Sequence, residues 1–141
     1  MLEELYGRIL DGFNFSDNNI NSLPPLVLAY VGDAVYEVFI RTFLISEGNV
    51  PVHVLHKRSI NYVKAKAQSD IVHRIMADLT PEEHDVVRRG RNAKSGTIPK
   101  NADVTEYKYA TGFEALVGYL YLKKDYDRLI MILKLAISGG S

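Results

Sequence analysis

Apolar residues along the chain recur at intervals of three and four, and alternation at intervals of two is nearly absent, so the pattern predicts helices. Residues 2 to 12 form a short amphipathic segment, and the polar stretch Asn14 to Asn21 that follows reads as a loop. Pro24-Pro25 opens a long apolar helix that runs to about Ser46, where Gly48-Asn49 supplies a C-terminal stop. Pro51 begins the next segment. From about Ser59 to Leu79 the residues Ile60, Val63, Ala67, Ile71 and Ile75 mark one buried face on an otherwise polar helix. Thr80-Pro81-Glu82-Glu83 combines an N-cap threonine, a proline at the first helical position and a capping-box glutamate, so a helix starts here and is expected to end at Gly90. Asp103-Val-Thr-Glu106 caps a helix expected to reach about Lys123, and a last helix from Asp125 to Ile137 precedes Gly-Gly-Ser. The predicted fold class is an all-α bundle without internal repeats.

At 141 residues the chain is expected to form one ordinary domain with a real core. The absence of cysteine excludes disulfides and thiolate metal sites. No apolar run approaches the roughly 18 to 20 residues of a membrane span, and Met1-Leu-Glu-Glu is acidic where a secretory signal is basic, so a soluble intracellular protein with no membrane partner is expected. Seventeen basic and seventeen acidic side chains cancel, but their distribution is uneven. Arg88, Arg89, Arg91, Lys94 and Lys100 follow one another with no acid between them, and Lys57, Arg58, Lys64 and Lys66 form a second such cluster. Patches of this kind are either the electrostatic footprint of a nucleic-acid binder or a solvated helix face. The first cluster coincides with the aperiodic stretch Gly90 to Ala102, and loops of about a dozen residues in compact domains are more often functional than idle.

Two carboxylates, Asp33 and Glu114, break the apolar pattern of their helices, and each helix also carries an interior glycine, Gly32 or Gly118. Both features are costly, the acid through desolvation and the glycine by roughly 1 kcal/mol against alanine. Glycine lets helix backbones approach closely, so Leu28-Ala-Tyr-Val-Gly-Asp33 and Phe113-Glu-Ala-Leu-Val-Gly118 can cross with their acids facing one another and a cation between. Magnesium needs only one or two protein carboxylates and keeps several waters. Such an ion activates water and stabilises charge on a phosphoryl group, which with basic loops nearby points to a phosphodiester substrate. The plainer reading is that each acid is a surface or ion-pair residue. Glu37, one turn beyond Asp33, either supports the pair through a hydrogen bond or ion-pairs with Arg41.

At Leu28-Ala-Tyr-Val-Gly-Asp-Ala34 and Phe113-Glu-Ala-Leu-Val-Gly118 the chain resembles the ribonuclease III family of double-stranded-RNA endonucleases, whose signature helix and glutamate-bearing helix come in this order. Arg89-Gly-Arg-Asn-Ala-Lys-Ser-Gly96, Pro99-Lys-Asn101 and Tyr107-Lys-Tyr-Ala-Thr-Gly-Phe-Glu-Ala-Leu-Val-Gly-Tyr-Leu120 are similar to the Mini-ribonuclease III subgroup, which has the catalytic domain alone. The resemblance implies a ribonuclease III endonuclease-domain-like helical bundle, a homodimer, magnesium with manganese as the alternative ion, and cleavage of both strands of a ribosomal RNA precursor during large-subunit maturation. By position, Asp33 and Glu114 are then the catalytic, metal-binding pair, with Glu37 and Thr111 as hydrogen-bonding supports beside them. Arg89, Arg91, Asn92, Lys94, Thr97, Lys100 and Asn101 are expected to line the RNA, since an A-form duplex offers phosphates and 2′-hydroxyls to cations and amide donors. The larger family usually has four acids around its metals. Here Ala29 and Thr111 stand at the other two positions, as the subgroup's thinner pattern implies, and leave more coordination to water and phosphate oxygens.

Two other readings stay open on the residues alone. His84-Asp85 with His53 and His56 would suit a histidine-metal phosphohydrolase, although ligating histidines have to converge and His84 falls in an acidic first turn. The thinned acid set would also suit a catalytically inactive RNA-binding or ribosome-assembly module. Val35, Phe39 and Phe43 exceed one core stripe and point to a dimer face. Tyr30, Tyr36, Tyr119 and Tyr121 are expected in the core or that interface, and Tyr107 and Tyr109 near the substrate.

Overall fold

Helices follow one another through the chain as α1 (Leu2–Asp11), α2 (Asp17–Asn21), α3 (Pro25–Ser46), α4 (Val52–Val63), α5 (Ala65–Ile75), α6 (Pro81–Asn92), α7 (Val104–Leu122) and α8 (Tyr126–Ser138), with a 3₁₀ turn, Met76–Asp78, after α5. The computed structural model describes residues 2–94 and 98–138, and no strand occurs among them. The all-α expectation therefore stands. Among the described residues no helix is long and apolar enough to cross a membrane.

Helix α7 runs through the middle, with α3, α5 and α6 packed around it. It buries nearly its whole circumference because its apolar residues are not confined to one stripe: Phe113, Ala115, Leu116, Val117 and Leu120 are all inaccessible to solvent or nearly so. They meet Leu28, Tyr36 and Ile40 of α3, Val72 and Ile75 of α5, and Leu129, Ile132 and Leu133 of α8 in one core. The Tyr36 and Phe113 rings stand edge to face with centroids 5.1 Å apart. The Tyr36 hydroxyl donates to the Tyr62 carbonyl at 2.9 Å and so ties α3 to α4.

Two glycine contacts set how closely these helices approach. A Cβ built on Gly32 would overlap the Glu114 carbonyl and come within 2.7 Å of the Gly118 nitrogen, while one on Gly118 would overlap the Leu28 carbonyl. Helices α3 and α7 thus touch backbone to backbone, as the paired glycines predict. A second crossing of the same kind joins α6 to α7, where a Cβ on Gly90 would lie 2.8 Å from the Gly112 Cα. Gly90 is therefore a packing residue inside α6 and not its terminator, and the helix continues to Asn92.

The capping box is formed as read. Thr80 Oγ1 accepts from the Glu83 amide at 3.2 Å and Glu83 Oε1 accepts from the Thr80 amide at 2.9 Å. The buried Glu83 carboxylate also receives Arg128 of α8, at 2.7 and 2.8 Å, which clamps α6 to α8. Burial pushes the Glu83 carboxyl up, but the Arg128 and Thr80 hydrogen bonds outweigh it and hold it below the ordinary range.

Two other boundaries differ from the sequence pattern. The stretch read as a loop contains α2, started by Ser16 as N-cap and held by buried Ile20. The segment from Ser59 to Leu79 is not one helix: Lys64, with ψ near 154°, separates α4 from α5. Neither glycine nor proline marks that break, and Ile60 before it is exposed while Ile71 and Ile75 after it are core.

Gly118→Ala places a methyl group where a carbonyl already lies. It is expected to lower the thermal midpoint by more than about 5 °C, from overpacking of roughly 2 kcal/mol or more. Gly12→Ala, with only ordinary contacts to make, is the control. Circular-dichroism melting curves that coincide for the two variants would show that the crossing accepts a side chain.

Candidate active site

The Gly32–Gly118 crossing decides where the two acids emerge. Asp33 follows Gly32 on α3, and the Gly32 Cα rests against the backbone of Glu114 on α7. The two carboxyls consequently lie close enough to act on each other, Glu114 half-buried and Asp33 exposed. Burial, then the Asp33 carboxyl, push the Glu114 carboxyl up to about 8; the Glu37 charge adds to this and the Gln68 amide opposes it. Such a pair carries negative charge that its surroundings do not compensate.

Glu37 pairs with Arg41, whose Nε lies 2.9 Å from its Oε2, so of the two sequence readings the ion pair is the one formed, although the Glu37 charge still reaches Glu114. Thr111, one turn before Glu114, spends its hydroxyl on the Tyr107 carbonyl at 3.1 Å. Ala29 is buried. Among the described residues no three His, Asp or Glu side chains converge into a closed metal cage. Asp33 and Glu114 are the oxygen donors on hand, and an uncompensated acid pair open on one side fits a hard divalent cation that keeps most of its water. The exposed His53 and His56 on α4 and His84 on α6 form no such group either, and the histidine-metal reading loses its site.

The basic run separates once folded. Arg89 is half-buried and its Nη2 donates to the Leu23 carbonyl at 3.4 Å, joining α6 to the segment before α3. Arg88 pairs with Asp85 on its own helix. Arg91 points elsewhere: it donates to Asn92 Oδ1 at 3.2 Å and to the Tyr109 hydroxyl at 3.4 Å, with its guanidinium 5.6 Å from the Tyr109 ring centre. The same ring packs on His73 at 4.4 Å between centroids. Lys94 and Lys100 are exposed, and Asn101 takes φ 75° in a turn closed by the Ala102 amide on the Pro99 carbonyl at 3.0 Å. Thr97 lies outside the described residues. Of the tyrosines, Tyr36 and Tyr121 are core, whereas Tyr30 is 84% exposed, which removes it from the core.

Sequence reasoning missed Gln68 and His73. Gln68 of α5 is buried beside Glu114, and its signal was available as a polar residue sharing the helical spacing of Ile71, Val72 and Ile75. His73 had no comparable signal.

Residues 26–125 match the Ribonuclease III domain family. The chain is 57% identical to a Mini-ribonuclease 3 of Thermoanaerobacter over 82% of both chains, and 55% identical to that of Symbiobacterium thermophilum over 82% of this chain and 88% of the relative. Against the Mini-ribonuclease 3 of Staphylococcus aureus, identity is 42% over 89% of this chain and 95% of the other. A crystal structure of a Fusobacterium nucleatum protein superposes with a TM-score of 0.77 at 36% identity, covering 86% of this chain and 97% of that one.

With chelator present, folded Glu114 binds its proton up to about pH 8, whereas an unfolded glutamate releases it near 4.5. The folded state holds the extra proton between those values, so stability falls as pH rises through them. Glu114→Gln, neutral throughout, lacks this slope. From pH 5 to pH 8 the wild-type midpoint is expected to drop by about 5 °C or more relative to the variant. Parallel curves in differential scanning calorimetry would take the proton away from this carboxyl.

Proposed function

The chain belongs to the ribonuclease III family of double-stranded-RNA endoribonucleases, and we propose that its cleavage site is the Asp33–Glu114 pair, working with magnesium for which manganese can substitute. One observation carries this reading: two carboxyls from distant parts of the chain are held together at a backbone crossing, with Glu114 pushed up to about 8 by burial and its acidic neighbours and no ion pair to it among the described residues. When bound, the ion lowers the pKa of a water and stabilises the charge that develops on the phosphoryl oxygens. Asp33, on the solvent side, offers its carboxylate toward the substrate. Glu114 acts from beneath, where the low dielectric strengthens its attraction for a cation.

The duplex is held by Arg91, Asn92, Lys94, Lys100 and Asn101, with Thr97 between them in sequence. Support comes from their exposure or half-exposure at the end of α6 and in the turn before α7. Arg89 stays in this set through the guanidinium donors left over beyond its Leu23 contact. Glu37 and Thr111 support the acids indirectly, Glu37 through its charge. The substrate is a precursor of large-subunit ribosomal RNA, cut in the bacterial cytoplasm.

The working form is a homodimer. Phe39 and Phe43 are half-buried against their own core and Val35 is fully so, so the apolar excess lies instead on Val27, Tyr30, Val38 and Ile45, all exposed along α3. A second copy covers this face, in line with the low frequency of large apolar patches on monomers.

The thinned acid set, with Ala29 and Thr111 where the larger family has acids, favours a second reading, an RNA-binding or assembly module without catalysis. Asp33→Asn decides between them on a long duplex RNA with magnesium. Cleavage should fall by at least about a hundredfold, while affinity in a filter-binding assay stays within about twofold. A wild-type protein that binds but never cuts would establish the module instead.

Binding also has a salt signature. The logarithm of the association constant should fall linearly with the logarithm of salt concentration, and Lys94→Ala or Lys100→Ala should each reduce that slope by roughly one. A slope unchanged in both variants would move the duplex to another face.

A further inference from the structure

Arg91 is a cation held in place without a counter-charge. Its Nη1 donates to the Tyr109 hydroxyl at 3.4 Å and its Nε to Asn92 Oδ1 at 3.2 Å, with the guanidinium 5.6 Å from the Tyr109 ring centre. Its neighbours on α6 are otherwise engaged, Arg88 with Asp85 and Arg89 with the Leu23 carbonyl. Among the described residues no carboxylate pairs with Arg91. The side chain also borders an open cavity of about 370 Å³ that it shares with Met76, His84, Val87 and Arg88. An oriented, unpaired guanidinium beside open space suits an anion supplied from outside, and a duplex supplies phosphates.

The Tyr109 ring carries a second group. His73 of α5 packs on it with centroids 4.4 Å apart and planes tilted by 48°. This imidazole is exposed, and its Nδ1 lies 2.8 Å from the Ser69 carbonyl one turn earlier on the same helix. A carbonyl can only accept, so Nδ1 carries the proton, and Nε2 of the neutral ring is left as an acceptor. Among the described residues Nε2 has no partner. The helix does not need the Ser69 bond, because that carbonyl lies inside α5, where a backbone amide one turn on serves it. Packing does not need a nitrogen either, since phenylalanine would cover the same ring. What the arrangement achieves is a fixed tautomer, with an acceptor left open on an exposed ring.

The backbone of an A-form duplex presents phosphates, which only accept, and ribose 2′-hydroxyls, which also donate. Arg91 matches the first. An acceptor nitrogen anchored on the same tyrosine matches the second and cannot bind a phosphate while neutral. We propose that His73 is a specificity-determining residue: Tyr109 holds Arg91 and His73 on one ring, Arg91 takes a phosphate, and His73 Nε2 accepts from a 2′-hydroxyl of the same duplex. The site thereby distinguishes ribose from a sugar without that hydroxyl. Its footprint runs from the end of α6 across α7 to α5, three elements that the sequence does not bring together. The inference rests on the placement of Arg91 among the RNA-binding residues.

The test is equilibrium binding of two duplexes of one sequence, RNA and its 2′-fluoro counterpart, which keeps the A-form but has no hydroxyl to donate. Binding is measured in chelator at about pH 8, where an ordinary imidazole is neutral. The wild-type protein should prefer RNA. His73→Phe keeps a ring on Tyr109 and loses the nitrogen, so the preference should shrink by roughly threefold to tenfold, the worth of one neutral hydrogen bond. The loss should fall on RNA, with affinity for the 2′-fluoro duplex within about twofold of wild type. A preference equal to that of the wild type overturns the proposal, because a residue that only packs on Tyr109 does not sense the substituent. Arg91→Ala checks the reading beneath: it should weaken both duplexes about equally. If it weakens neither, the duplex lies on another face and both readings fall, an outcome distinct from failure of His73 alone.

Discussion

Backbone contact between α3 and α7 at Gly32 and Gly118 is the constraint on which the rest of the molecule depends. With a side chain at either position the helices would stand apart by the width of a methyl group or more, because the atoms met are backbone carbonyls that cannot swing away. Close approach does two things at once. It buries Leu28, Leu116 and Val117 in a core with no gap between the central helices, and it sets Asp33 and Glu114 side by side. Stability and chemistry are built on the same few atoms, so the glycines cannot be improved for one without loss to the other.

The molecule contains its own comparison for what a buried acid costs. Glu83 is buried at the start of α6, and there two hydrogen bonds from Arg128 together with the Thr80 amide hold its carboxyl below the ordinary range. Glu114 is half-buried, yet its neighbours are Asp33 and Glu37, and its carboxyl is pushed up to about 8. A structural acid in this fold is thus supplied with a partner, and breaking such a buried pair typically costs a few kcal/mol. Among the described residues no cationic side chain pairs with Glu114 to play that part. The fold tolerates the repulsion at the crossing, as expected where a site is selected for what it binds and not for stability.

The glycine-acid pairs and the capping box were legible because each is local: an interior glycine beside an acid, or a threonine three residues before a glutamate, carries its meaning within a few positions. What escaped the sequence depends on partners far away. Nothing at Lys64 announces a break, since the helix is redirected by the packing of Ile71, Val72 and Ile75 against α7 and not by any backbone preference of lysine. Gly90 has the local look of a terminator and is a contact point only because Gly112, on another helix, opposes it. Gln68 falls between the two cases. Its place on an apolar face could be read from spacing, but the carbonyl it caps lies on α4.

The basic run shows how the fold sorts charge that the sequence presents as uniform. Arg89 and Arg91 are two residues apart on α6, which at 100° per residue sets them on nearly opposite sides. One consequently turns inward to the Leu23 carbonyl and the other lies along the Tyr109 ring, while Arg88 is neutralised by Asp85. A count of five cations between Arg88 and Lys100 therefore overstates the charge free to meet a phosphate backbone. The exposed lysines, Lys94 and Lys100, flank the segment that leads from α6 into α7, and α7 is the helix that carries Glu114. Charge outside ion pairs and the reactive acid are thereby mounted on consecutive elements. The Gly90–Gly112 contact packs α6 on α7 close to where the basic segment leaves α6, a second glycine crossing beside the one that sets the geometry of the acids.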